Sequence, residues 1–165
     1  FNADLAMSLN NLSNALTAIG QQEIGLLAIQ ESLDLRRSLA RDNPRVFNTD
    51  LATSLHNFSN HLSRMGQTEA ALDAIWEAVN LRRILAKEDP QAFMSDLANS
   101  LNSLSICLIV LGQPEAALEA IQEAIALYEP LAQEYPQAVE ENLAKARANL
   151  ERIQSTLEPK PPPAP

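Results

Sequence analysis

FNTDLATSLHNFSNHLSRMGQTEAALDAIWEAVNLRRILAKEDPQA, residues 47–92, decides the fold, because nearly the same phrase stands before it and after it. The three copies align at a constant offset of 46 residues without a gap, bringing Asp4, Asp50 and Asp96 into one column, Gly20, Gly66 and Gly112 into another, and Pro44, Pro90 and Pro136 into a third. In 19 of the 46 columns all three copies agree, more than shared composition could supply. A period of this length is one supersecondary unit that buries its apolar face only against its neighbours.

Inside each copy the apolar spacing is helical. Leu5, Leu9, Leu12, Leu16 and Ile19 recur at steps of three and four, which places them on one stripe of a helix. The stripe ends at Gly20, Gly66 or Gly112, where a left-handed cap residue is wanted, and the following Gln-x-Glu opens a second helix. In the third copy Pro114 falls in that helix's first turn. The second helix carries Leu26, Ile29, Leu33, Leu35 and Leu39, and should stop before Pro44, since the residue preceding a proline is pushed out of helical geometry. A short link is expected next, its junction plugged by Phe47 or Phe93. Asp4, Asp50 and Asp96 are then expected at the start of the first helix, opposing its dipole.

The predicted fold is all-α: a right-handed α-solenoid of three helix-turn-helix repeats, at 1–46, 47–92 and 93–136, plus a C-terminal capping helix. That helix, 137–157, begins in register with Val139, Leu143 and Ala144, but Arg147 stands where Leu101 would be. Its apolar residues Leu143, Ala146, Leu150, Ile153 and Leu157 make one narrow stripe, so one face docks and the other meets water. Residues 158–165, rich in proline, read as an extended tail or linker. Phe1 opens in mid-phrase, which reads as a segment of a longer array.

Composition excludes several functions. The 165 residues carry 12 Lys+Arg against 21 Asp+Glu, a formal charge of -9 that repels a phosphate backbone. Nucleic acid is therefore not expected as a partner, nor is a membrane, because no apolar run approaches the roughly 20 residues that cross a bilayer. One cysteine, Cys107, leaves no disulfide within the chain and suits a reducing, cytoplasmic compartment. No cofactor or metal is expected: His56 and His61, five apart, point to different sides of a helix and cannot share an ion. Cys107 sits among apolar neighbours as a core residue, so no catalytic residue is expected.

The repeats resemble the tetratricopeptide repeat, TPR. Leu55, Phe58, Ser59, Leu62, Gly66, Ala71, Ile75 and Ala78 occupy its landmark places, as do Leu101, Leu104, Ser105, Leu108, Gly112, Ala117, Ile121 and Ala124 in the next copy. Three features depart from the pattern: aliphatic residues replace most aromatics, Gly25 replaces an alanine, and the proline comes some two turns late. Long units of this kind are similar to the TPRs of kinesin light chain and of bacterial and fungal signalling proteins. The resemblance implies protein or peptide binding, with first helices lining a concave side.

Carried over by column, the groove-facing residues are Asn10, Asn11, Asn14 and Thr17, then His56, Asn57, Asn60 and Ser63, then Asn102, Ser103, Ile106 and Ile109. Asparagine is a mediocre helix former, so several on one face need a reason. A primary amide offers both donor and acceptor, which suits a peptide main chain. The expected peptide site is therefore Asn10, Asn11, Asn14, His56, Asn57, Asn60 and Asn102, with Ile106 and Ile109 as an apolar anchor. Two other readings stand: the amides bond to each other between repeats, or they merely solvate the face. Arg64 is the single cation of these faces, too few to clamp a terminal carboxylate. Ile106, Ile109 and Val110 either lie under the capping helix or form a pocket. Trp76, in a column with Gln30 and Gln122, is expected to be partly buried, and Arg36–Arg37 and Arg82–Arg83 to form a solvated face. A second function is structural: self-association through the N-terminal end, where Leu5, Leu9 and Leu12 leave apolar surface, or the positioning of a neighbouring effector domain.

Overall fold

The computed structural model describes residues 1–158, and within them the chain is helical throughout: α1 (Asn2–Ala18), α2 (Gln22–Asp42), α3 (Pro44–Arg64), α4 (Thr68–Glu88), α5 (Pro90–Val110), α6 (Pro114–Glu134) and α7 (Pro136–Leu157). The class is all-α, built of helix-turn-helix repeats, with no strand among the described residues. The proline-rich stretch 159–165 lies outside them. Two compact units divide the chain, Phe1–Phe93 and the part from Met94 onward.

Repeats two and three are each two 21-residue helices joined by a turn, and the first joins a 17-residue helix to a 21-residue one. Gly20, Gly66 and Gly112 adopt φ of 82°, 75° and 71°, the left-handed region expected of them. The turn closes with two bonds that satisfy the last carbonyls of the first helix: Gly66 N–H donates to the Ser63 carbonyl at 3.1 Å and Gln67 N–H to the Leu62 carbonyl at 2.9 Å. The same pair recurs from Gly20 and Gln21 and from Gly112 and Gln113.

The expected link between repeats is absent. Asn43, Asp89 and Tyr135 are single-residue joints held extended, at φ near −145°, −141° and −132°, and the proline that follows opens the next helix at once. A proline does both jobs, because its ring bars the helical region to the residue before it while its own fixed φ and missing N–H suit a first helical position. Phe47 and Phe93 therefore sit inside helices, half-buried, rather than in a link. Asp50 and Asp96 fall beyond the first turns of α3 and α5, and only Asp4 lies in a first turn. The capping helix, α7, likewise starts one residue earlier than read, at Pro136.

In the first unit α2 packs against both α1 and α3, and α4 closes on α3. Ile29, Leu33, Leu55, Ile75 and Val79 are almost fully buried, each such side chain contributing about 1.5–3 kcal/mol. Alanines at Ala6, Ala52, Ala71 and Ala78 let backbones come close enough for buried hydroxyls to reach across. Ser13 donates to the Gly25 carbonyl at 2.7 Å and Ser59 to the Ala71 carbonyl at 2.8 Å, tying first helix to second in the first two repeats.

Arg36 and Arg82 correct the solvated-face reading: both are 5 % exposed. Arg36 donates through Nη1 to the Asp50 carbonyl at 2.6 Å and to Ser54 Oγ at 2.8 Å, joining α2 to α3. The neighbouring Arg37 does reach out, to Glu77 at 2.6 Å. In the second unit α6 packs against α7, which buries Val139, Leu143, Ala146 and Ile153. By length and composition α5 is apolar enough to cross a membrane, contrary to the expectation from the sequence, yet Ser100 and Ser105 are fully buried along it beside Leu101 and Leu104.

Candidate polar face and pocket

Two asparagine pairs organise the first-helix faces, one in each unit. Asn57 Nδ2 donates to Asn10 Oδ1 at 3.0 Å between α1 and α3, and Asn149 Nδ2 donates to Asn102 Oδ1 at 2.9 Å between α5 and α7. Each pair is separated by 47 residues, one repeat plus one. Asn10 is 7 % exposed, so its amide is chiefly a strut between helices. Asn149 lay outside the residues singled out from sequence, although that spacing marks it.

Asn11, Asn14 and Asn60 are exposed, while His56, Asn57, Asn102, Ile106 and Ile109 are half-buried. Val110, beside the two isoleucines, is 63 % exposed. His56 turns from the ladder toward Arg82, whose Nη1 lies 3.4 Å from its Nδ1. Burial first and the Arg82 charge second push its pKa down to about 3, so it is neutral.

Asn14, Thr17, Ala18, Asn57, Asn60, His61 and Arg64 line one pocket of about 360 Å³ between α1 and α3. Neither the Asn14 nor the Asn60 side chain bonds elsewhere in the described chain. His61, considered from sequence only as a metal ligand, is 5 % exposed and is the hub of this wall. Its Nε2 is 2.8 Å from Ser13 Oγ and its Nδ1 2.9 Å from Thr17 Oγ1, both on α1. Burial, with Arg64 assisting, holds its pKa below the usual histidine value. Gly25 stands where the other repeats have Ala71 and Ala117: a Cβ there would crowd Thr17 Oγ1, one of the ring's two partners, at 2.9 Å and the Ser13 carbonyl at 3.1 Å, and would meet His61 Cε1 at an ordinary 3.6 Å.

Ser13 and His61 share the spacing of a nucleophile and its base, but Ser13 is fully buried, with its proton given to a backbone carbonyl, so no substrate could reach it. Among the described residues no three His, Cys, Asp or Glu side chains gather to hold a metal ion. Cys107 is buried.

Repeated helix pairs with a polar, pocketed first-helix face define a class of protein, the helical-repeat interaction module. The chain belongs to the tetratricopeptide repeat family, whose profile matches residues 5–45 and 51–92. Solved structures agree on the fold. The Sgt2 TPR domain from Aspergillus fumigatus matches with a TM-score of 0.65 at 18% identity, covering 97% of this chain and 86% of that one. BtubC (BKLC) from P. vanneervenii matches with a TM-score of 0.65 at 14% identity, covering 100% and 70% respectively. MamA matches with a TM-score of 0.55 at 16% identity, covering 91% and 77%. No curated protein matches the chain. Membership in this family assigns a protein-interaction scaffold.

Proposed function

We propose that the chain is a non-catalytic scaffold that holds an extended peptide segment on the first-helix face of its first unit. The observation that carries this reading is the pair Asn14 and Asn60, exposed amides beside a pocket, unengaged by the rest of the described chain, in helices where asparagine costs stability. Asn10 and Asn102 support the face as struts, and Asn57 both braces Asn10 and lines the pocket. Ile106 and Ile109, half-buried beside exposed Val110, offer apolar contact in the second unit. A reducing, cytoplasmic setting suits the lone buried Cys107. The test places a photo-crosslinking residue at position 14 or 60, with position 80 on α4 as a control. A partner labelled at 14 and 60 but not at 80 supports the reading, and equal labelling at all three sites overturns it.

A second reading, self-association, is favoured by the N-terminal repeat. Leu5 is 37% exposed while its column mates Leu51 and Leu97 are 7% and 5% exposed, and Leu12, Ile19, Ile24 and Leu27 add further exposed apolar surface. Light scattering decides it: dimers that disappear when Leu12 and Ile19 become polar, with peptide capture unchanged in Asn14→Ala and Asn60→Ala, would make association the function.

A further inference from the structure

α1 and α3 carry matching residues in one register, yet only α3 is covered on the side they form. There α2 seats on Leu51 and Ser54, both buried, and Arg36 of α2 donates to the Asp50 carbonyl at 2.6 Å and to Ser54 Oγ at 2.8 Å. In the same columns α1 has Asp4, Leu5 and Ser8. Leu5, Ser8, Leu12, Ala15 and Ile19 recur at steps of three and four and are all exposed, which makes them one open stripe. Ser8 donates to the Asp4 carbonyl at 2.9 Å, so the two oxygens of the arginine receptor already stand together, each with a lone pair to accept. The serine is diagnostic of what seats on it. In the second unit α6 packs against α7, and there the arginine column holds Tyr128 and the serine column Ala146, both buried. The Tyr128 hydroxyl donates to Asn99 on α5, within its own repeat. Buried polar groups need partners, so this column has serine where an arginine arrives and alanine where a tyrosine does.

We infer that the open side of α1 docks an amphipathic helix of a partner protein, one with leucine or isoleucine along its face and an arginine placed to reach the Asp4 carbonyl and Ser8 Oγ. Leu5, Leu12 and Ile19 supply the apolar anchors at helical spacing. Charge favours such a helix, because residues 1–35 hold Asp4, Glu23, Glu31 and Asp34 and no cation. The seated example shows the same balance: burial lowers the pKa of Arg36, and the carboxylate of Asp50, the column mate of Asp4, opposes that. A folded second copy has no such arginine to give, since Arg36 and Arg82 are both buried within their own chain. The site involves neither Asn14 nor Asn60 and stands whether or not a peptide binds there. It shares Leu12 and Ile19 with the self-association reading, which names a different occupant for the same surface.

The probe is the acetylated and amidated peptide of residues 22–42, the α2 sequence that fits this surface one repeat on, in three forms: unaltered, Arg36→Gln and Arg36→Tyr. Each is added to the full chain, and nuclear magnetic resonance follows the methyl groups of Leu5, Leu12 and Ile19. The unaltered peptide should shift those methyls and bind about 10-fold or more tightly than the Arg36→Gln form. Ser8 is exposed, so Ser8→Ala leaves the fold intact. In that chain the preference for arginine over glutamine should shrink to about 3-fold or less, while the Arg36→Tyr form gains on the unaltered one. Equal binding of all three peptides to both chains overturns the arginine receptor. No shift of these methyls with any peptide overturns the docking site. If the same methyls shift as the chain alone is concentrated, and light scattering finds dimers, the occupant is a second copy: the partner helix is overturned and the self-association reading stands.

Discussion

Gly25 and Thr17 are fitted to each other between α2 and α1: a Cβ on Gly25 would lie 2.9 Å from Thr17 Oγ1, which holds the His61 ring, and 3.1 Å from the Ser13 carbonyl that accepts the Thr17 hydroxyl, while the ring itself, at 3.6 Å, would be in ordinary contact. Alanine is the better helix former at an interior position by about 1 kcal/mol, and Ala71 and Ala117 occupy this column elsewhere. The glycine is therefore explained by what it lets in. Gly25→Ala should destabilise the otherwise unaltered chain by about 1 kcal/mol, yet stabilise a chain that already carries Thr17→Ala. Urea denaturation of the four-member cycle should give a coupling of about 1 kcal/mol or more; additive effects would show the two sites to be independent.

The periodic features were legible because each was written three times. Gly66 reads as a helix end, and its turn is the one found. The joints were misread because the rule about Asp89 before Pro90 says where a helix must stop, while only the absence of spare residues says that the next begins there. Arg82 looked solvated because arginine usually is; that Tyr128 shares its column, and is itself buried, was the available sign of an interior place. The hub at His61 was invisible to column comparison, since Ala15 and Cys107 share its column and its partners lie 44 and 48 residues away on another repeat. The amide bonds needed an offset of 47, one step off the register in which the copies were compared.

At the turns, the cost of a side chain is purely one of backbone. Nothing lies within 4 Å of where a Cβ would stand on Gly66 or Gly112, but φ of 75° and 71° is left-handed. Gly66→Ala and Gly112→Ala should each lower stability by about 1–2 kcal/mol with no change in helix content, as read by denaturation alongside circular dichroism. An unchanged midpoint would show that the turn relaxes to another geometry.

Acid should weaken the empty protein through its histidines. Burial foremost, then Arg82, pushes His56 to about 3, and burial with Arg64 lowers His61. In the unfolded chain both titrate near 6.5. Below that pH the unfolded chain binds protons that the folded chain resists, so stability is full above about 6.5 and falls as the pH drops toward 5, by up to about 1.4 kcal/mol per pH unit for His56, with His61 acting in the same direction. His56→Gln should flatten the slope. Stability that stays level from pH 7 to 5 would contradict the depressed pKa of His56.

The asparagines of the first unit should separate into those that hold the repeats together and those that meet a partner. Asn57→Ala strips the buried Asn10 oxygen of its donor, which leaves an acceptor unsatisfied at a cost of about 1–3 kcal/mol. Asn14→Ala and Asn60→Ala remove exposed amides that bond to nothing in the described chain, so stability should move by no more than about 0.5 kcal/mol, while capture of the crosslinked partner falls. Measuring denaturation midpoint and capture on the same three variants keeps the two roles apart, because a fold defect lowers capture only in proportion to the unfolded fraction. Undiminished capture in both Asn14→Ala and Asn60→Ala would leave the face a solvated brace, and the partner would have to be sought on the apolar surface of Leu12 and Ile19.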